Sequence, residues 1–250
     1  MLPMVRSLPF IVGARGIAGK RNGAYTRNPM SAKPSASAQY PVILHEDECL
    51  LIVDKPSGLL VIPSPKGETV TLGTLVNDLL AARGDGGPTA WPCHRIDRET
   101  SGVMVYAKGK AMQKKVMDQF QQRNVHKTYL ALVNGCPGKA SGSIRTPIEG
   151  QEAVTNYLVL GRNERYAAIQ VMPVTGRTNQ IRIHFARMGH PLLGDAKFGI
   201  RKDFREPFKR TALHAWQIRF EHPKTAQELV VSAPVPPDMA ALLGALALKV

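Results

Sequence analysis

Acidic residues are scarce in this chain. It carries 19 Asp and Glu against 33 Lys and Arg, a net charge of +14 over 250 residues. That balance points to a polyanionic partner, most often nucleic acid, and away from a basic one. Cysteine is scarce too: Cys49, Cys93 and Cys136 lie far apart, with no CxxC spacing. This excludes a disulfide framework and a zinc ribbon and fits a reducing compartment. No apolar run approaches the roughly 18 residues of a membrane span, so no membrane partner is expected. The motifs HExxH, GxxxxGK[ST], GxSxG and GxGxxG are all missing. Their absence removes the usual zinc hydrolases, phosphate-loop enzymes, serine hydrolases and dinucleotide binders. The seven histidines are scattered, and His184 and His190, six apart, are badly spaced for two metal ligands on one helix. Chemistry without a metal or a nucleotide cofactor is therefore expected.

Acid is missing altogether from residues 1–40, which hold six of the basic residues and leave +8 on the rest. Rich in Ser, Pro and Gly, residues 1–39 read as a disordered basic leader. Three origins suit it: a mitochondrial transit peptide, a flexible RNA-binding arm, or a start codon read too early, with Met30 as the true start. The expected location is accordingly the cytoplasm of a bacterial-type cell, or the mitochondrial matrix in the first case. Residues 40–240 read as one folded domain, a monomer, and 241–250 as a tail.

Within the folded part, "CLLIVDKPSG" is an apolar run closed by a Pro-Ser-Gly turn. "GVMVYAKG", "KTYLALVNG", "TNYLVLGR", "YAAIQVMPV" and "ALHAWQIRF" also read as strands. "TLGTLVNDLLAA" and "KAMQKKVMDQFQQRN" have helical spacing, with Leu72, Leu75, Val76 and Leu79 on one face of the first and Met112, Val116 and Phe120 on one face of the second. Many strands, few helices and no strict βαβ alternation predict an α+β fold with a mixed, largely antiparallel sheet and flanking helices.

Two stretches carry chemistry. "HRIDRETSG", residues 94–102, sets Arg95 and Asp97 at the edge of a strand; alone, it is equally well a solvated loop with local ion pairs. "TGRTNQIRIHFARMGHPLLGD", residues 175–195, has Ile181, Phe185 and Met188 at i, i+4 and i+7, a helix stripe facing a core. Gly189 stands where a helix C-cap wants a left-handed residue. Arg177, Asn179, Gln180, Arg182 and His184 crowd the first turns, and a helix start with positive side chains favours phosphate. Arg95, Arg177, Gln180, His184 and Lys127, the last at the head of "KTYLALVNG", are the candidate RNA contacts.

Together, in this order, these motifs resemble the RluA-type pseudouridine synthases, from about Val42 to Pro237, and specifically the subgroup without an extra N-terminal RNA-binding domain. The resemblance implies a pseudouridine synthase fold with a central catalytic cleft, and an isomerase acting on uridines of ribosomal or transfer RNA. It implies that Asp97 is the essential catalytic aspartate, Tyr129 the active-site tyrosine, Arg182 the arginine paired with the aspartate, and Arg95 the side chain that fills the gap left by a flipped base. Ile96 replaces a common leucine, and Asn179 a common histidine.

The reaction breaks the N1–C1′ bond of uridine, turns the base and joins C1′ to C5. Nothing is added overall, so no cofactor is required. An anionic oxygen is required, to attack C1′ or to take the 2′ proton, and an aspartate suits either role. A neighbouring guanidinium favours the charged carboxylate and fixes its geometry. The target base must leave its stack, and a ring such as Tyr129 offsets part of that cost. His94 and Thr100 read as supports of the Asp97 loop. Two other readings compete: a catalytically silent RNA-binding or ribosome-assembly protein on the same scaffold, and a base-processing glycosidase with Glu99 as its second carboxylate.

Overall fold

The computed structural model describes residues 41–65, 67–84, 89–199 and 208–250. The leader expected over residues 1–39 lies outside them.

Among the described residues, ten strands and four helices follow in the order β1 (Val42–Glu46), β2 (Leu50–Lys55), α1 (Leu72–Ala82), β3 (Ala90–Pro92), β4 (Ser101–Lys108), α2 (Lys110–Gln121), β5 (His126–Asn134), β6 (Ser141–Ile144), β7 (Thr155–Arg162), β8 (Tyr166–Pro173), α3 (Gln180–Arg187), β9 (Leu213–Glu221), β10 (Glu228–Ser232) and α4 (Pro237–Ala245). The strands form one sheet ordered β1-β2-β4-β9-β5-β8-β7-β6, with β10 beside β9 and β3 beside β4. Every pairing is antiparallel except β4 with β9, which run parallel over Ser101–His214 and Gly102–Ala215. The expected α+β fold with a mixed, largely antiparallel sheet is the one observed.

Each helix covers one face of one half of the sheet. Leu51, Val53, Met104 and Tyr106 point to α1, where Leu72 and Val76 meet them. Their neighbours Leu50, Ile52, Val103 and Val105 point the other way, to Val116 of α2. In the second half, Ala131, Val133, Ile169 and Val171 face Ile181 and Phe185 of α3. Leu130, Leu132 and Ala168 face Met239, Leu242 and Leu243 of α4. Strands buried on both faces need no polar alternation, which is why "GVMVYA" reads as an unbroken apolar run.

The boundary expected at residue 240 falls inside α4. Pro237 starts this helix at a position where its missing N–H costs nothing. Its apolar face and the following Leu246 and Leu248 are buried against the sheet, so residues 241–248 are part of the domain core.

The two halves meet where β4 passes β9. Gly102 has φ 115°, and a Cβ there would lie 2.2 Å from the Ala215 carbonyl oxygen. Only glycine lets the backbones approach this closely. On the other side of the same segment, Gly194 has φ 71°, and its Cβ would lie 2.0 Å from the Arg210 carbonyl oxygen. The start of β9 and the residues just before it are thus wedged between the start of β4 and the loop that follows α3.

Candidate active site

A cleft of about 510 Å³ opens at this junction. His94, Arg95 and Asp97 line it from the β3–β4 loop, Lys127 and Tyr129 from β5, and residues 173–182 from the β8–α3 region. All the candidates drawn from three separate motifs except His184 therefore share one cavity.

Asp97 opens a tight turn, its carbonyl accepting the Thr100 N–H at 3.1 Å. The turn is clamped from below. Lys55, fully buried, donates to the carbonyls of Pro56 and Leu59 at 2.8 Å and of Arg98 at 3.0 Å. Burial pulls its pKa down to about 7, with Arg210 adding to the shift against Glu99 and Asp97. Three carbonyls nevertheless take three N–H bonds, which only the ammonium supplies. Ser57 donates to the Glu99 carbonyl at 2.8 Å, and the buried Arg210 reaches the same oxygen at 3.3 Å. His94 supports the loop as expected: its Nε2 accepts the Val105 N–H at 3.1 Å, and its ring stacks on Phe120. Burial and the Lys127 charge lower its pKa to about 3, so it stays neutral.

Arg182 projects from α3 with its Nη1 3.6 Å from Asp97 Oδ2. Its main partner is another acid. Asp195, fully buried, takes Nε at 2.6 Å and Nη2 at 2.7 Å in a bidentate pair. The same carboxylate accepts the N–H groups of Lys197 and Phe198. Asn179, left-handed at φ 55°, takes Nη1 at 2.8 Å. Burial opposes the Arg182 charge, but the Asp195 hydrogen bonds and the charges of Asp195 and Asp97 outweigh it and raise its pKa. Arg182 is a fixed cation presented to Asp97, within ion-pair distance of it as well as of Asp195. Asp195 closes the quoted 175–195 stretch, but no local pattern marks it as the buried partner of Arg182.

Tyr129 packs between the α1 and α3 core clusters. A bulge in the β5–β9 ladder falls between Thr128 and Tyr129, the kind of irregularity that re-aims a side chain beside a site. Burial and the Asp97 charge raise the phenol's pKa, so it remains protonated.

Of the candidate RNA contacts, Arg95 is exposed at the cleft. Lys127 is half-buried there and, among the described residues, makes no hydrogen bond or ion pair; burial lowers its pKa. Arg177 lines the cleft and donates Nε to the Glu152 carbonyl at 2.9 Å. Of the other two candidates, Gln180 lines the cleft and His184 does not. Gln180 is buried, taking the Thr175 hydroxyl and the Arg177 N–H on its oxygen and donating to Val154 and Thr155. His184, fully buried, bonds Thr155 Oγ1 and the Thr146 carbonyl, each at 2.9 Å. Both brace α3 from inside because their positions fall on its core-facing side.

An RNA pseudouridylate synthase family model matches residues 49–187, more than half of the chain. The chain belongs to the RNA pseudouridylate synthase family. An uncharacterised RNA pseudouridine synthase of Bacillus subtilis is 36% identical over 220 residues, covering 80% of this chain and 71% of its own. The ribosomal large subunit pseudouridine synthase C of Pasteurella multocida is 35% identical over 240 residues, covering 87% and 72%. The solved structure of human RNA pseudouridylate synthase domain containing 4 superposes with a TM-score of 0.72 at 26% identity, covering 84% of this chain and 94% of that one. As a pseudouridine synthase, this protein is an isomerase that converts uridine to pseudouridine in RNA. The resemblance read from the motifs is thus the correct one. Among the described residues, no helix is long and apolar enough to cross a membrane.

Proposed function

We propose that this pseudouridine synthase modifies uridines of ribosomal RNA with Asp97 as the catalytic group. The observation that carries the assignment is the Asp195–Arg182–Asp97 chain, a carboxylate at a cleft wall faced by a cation that cannot move. Asp97 supplies the anionic oxygen at the sugar, at C1′ or at the 2′ proton. The N1–C1′ bond breaks, the base turns, C5 joins C1′, and the C5 proton leaves to solvent. Tyr129, protonated and ring-exposed to the cleft, stacks on the extruded uracil and is placed to relay that proton. Arg95, free at the mouth, fills the gap left in the RNA stack, while Lys127 and Arg177 hold phosphates. The ribosomal target rests on relatives named for the large ribosomal subunit. Bacterial relatives of this kind support action in the cytoplasm of a bacterial cell, where ribosomal RNA is made, and we take the protein to act there as a monomer. The catalytic unit is residues 41–248.

The test is release of tritium from RNA carrying C5-labelled uridine. Wild-type protein should release it and leave pseudouridine in the chain. Free uracil instead of pseudouridine would establish a glycosidase, and binding without release a silent scaffold. Mapping pseudouridines in ribosomal and transfer RNA with and without the gene decides the target.

A further inference from the structure

Beside the catalytic pocket, one acidic side chain stands among several guanidinium groups. Glu152, in the loop between β6 and β7, has its Oε2 2.7 Å from Arg123 Nη2. Its main-chain carbonyl holds Arg177 Nε at 2.9 Å. Arg123 arrives from the turn after α2 and Arg177 from the turn before α3, and both line the cleft. The charges of Arg123, Arg177 and Arg145 all act on the Glu152 carboxyl and lower its pKa, the Arg123 hydrogen bond contributing most.

Arg123 occupies an unusual backbone position. It is left-handed at φ 62°, just past the α2 cap, where glycine is the common residue. A non-glycine residue there costs roughly 1–2 kcal/mol. Nothing in the helix itself asks for arginine at this place. What the placement gives is a guanidinium directed to Glu152, beside Arg177. Glu152 holds Arg177 by Nε alone, and among the described residues Nη1 and Nη2 of Arg177 make no hydrogen bond.

We propose that Arg123 and Arg177 form a phosphodiester subsite at the edge of the cleft, and that the Glu152 carboxylate occupies the phosphate's place until RNA binds. This rests on the reading that the cleft binds RNA. A carboxylate and a phosphodiester each offer two oxygens and one negative charge to a guanidinium fork, so one substitutes for the other. The Arg123–Glu152 pair is 48% and 60% exposed. Such a pair holds a side chain in place yet is cheap to exchange. The placeholder keeps Arg123 extended across the cleft edge, while a phosphate arriving with its RNA chain displaces Glu152 into water.

The experiment is a double-mutant cycle, read by the affinity of the full chain for a short fluorescent oligouridylate at several salt concentrations. Glu152→Gln should tighten binding by about 1.5- to 5-fold at low salt, the worth of an exposed ion pair, and the gain should fade as salt screens it. Arg123→Gln should weaken binding and lower the log–log salt slope by about 0.7–0.9, one phosphate contact. In the Arg123→Gln background, Glu152→Gln should have no further effect. Weaker binding by Glu152→Gln would overturn the proposal, because the acid would then be a tether the site requires. An equal gain in both backgrounds would overturn it too, since that is a general charge effect. Lys127→Gln and Arg95→Gln serve as controls. If they weaken binding while the cycle shows no coupling, only the subsite fails; if they also leave affinity unchanged, the cleft is not the RNA site.

Discussion

Asp195 is fully buried yet fully satisfied: its two oxygens take two guanidinium N–H groups and two backbone N–H groups. Breaking such a pair leaves an uncompensated charge, typically worth about 3–5 kcal/mol. Asp195→Asn and Arg182→Ala should each lower the melting temperature by roughly 10 °C, at about 2–4 °C per kcal/mol for a chain of this size; calorimetry checks this. The Arg182 hydrogen bonds and charge lower the Asp195 pKa against its burial. Its contribution to stability is therefore present above the unfolded carboxylate value of 3.8 and is lost as pH falls through the lower folded value. An acid titration of stability should lose this component in Asp195→Asn. Asp97→Asn is a different case, because Asp97 sits at the cleft surface. It should keep the wild-type fold and release no tritium from labelled RNA; multiple turnover by a clean preparation would refute the catalytic assignment.

At the scale of elements, α4 is the one whose importance is least visible in its own sequence. It buries Met239, Leu242 and Leu243, with Leu246 and Leu248 behind them. At about 1.5–3 kcal/mol each, these five side chains match the whole net stability of a typical domain, about 5–15 kcal/mol. Its first-turn Asp238 also grips Arg210 by two hydrogen bonds, of 2.6 and 3.0 Å, and Arg210 in turn touches the Asp97 turn through the Glu99 carbonyl. A chain ending at residue 240 should fail to show a cooperative thermal transition by circular dichroism. Gly102→Ala should also be strongly destabilised, since the new Cβ would collide with the Ala215 backbone at the β4–β9 junction. If a Gly102→Ala protein melts with the wild type, the two halves do not meet as closely as described.

For the whole molecule, charge is the relevant property. Removing residues 1–39 takes away six positive charges and no acid, leaving +8. We expect the shortened protein to modify RNA as well as the full chain does, because the leader does not interleave aromatics with its basic residues as a base-stacking arm would. A salt titration of RNA affinity at both lengths checks this, each phosphate contact being worth about 0.7–0.9 in slope; a slope lower by two contacts or more in the short form would assign the leader to RNA binding. Local pattern alone determined six of the ten described strands (β2, β4, β5, β7, β8 and β9), the helices α1 to α3 and the motif order, because apolar periodicity and turn residues are properties of neighbouring positions; the short or edge strands β1, β3, β6 and β10 were not legible in it. It also marked Asp97, Tyr129 and Arg182, since their motifs are contiguous. The partners of those residues were decided only by tertiary structure. Asp195 lies 13 positions from Arg182, Lys55 lies 43 from Arg98, and Arg210 lies 111 from Glu99. Nothing local distinguishes a buried carboxylate or ammonium from an exposed one. Gln180 and His184 show the same limit from the other side: their polarity suggested a solvent-facing role, but the angle at which α3 packs on the sheet turned them inward, where each polar atom found a partner.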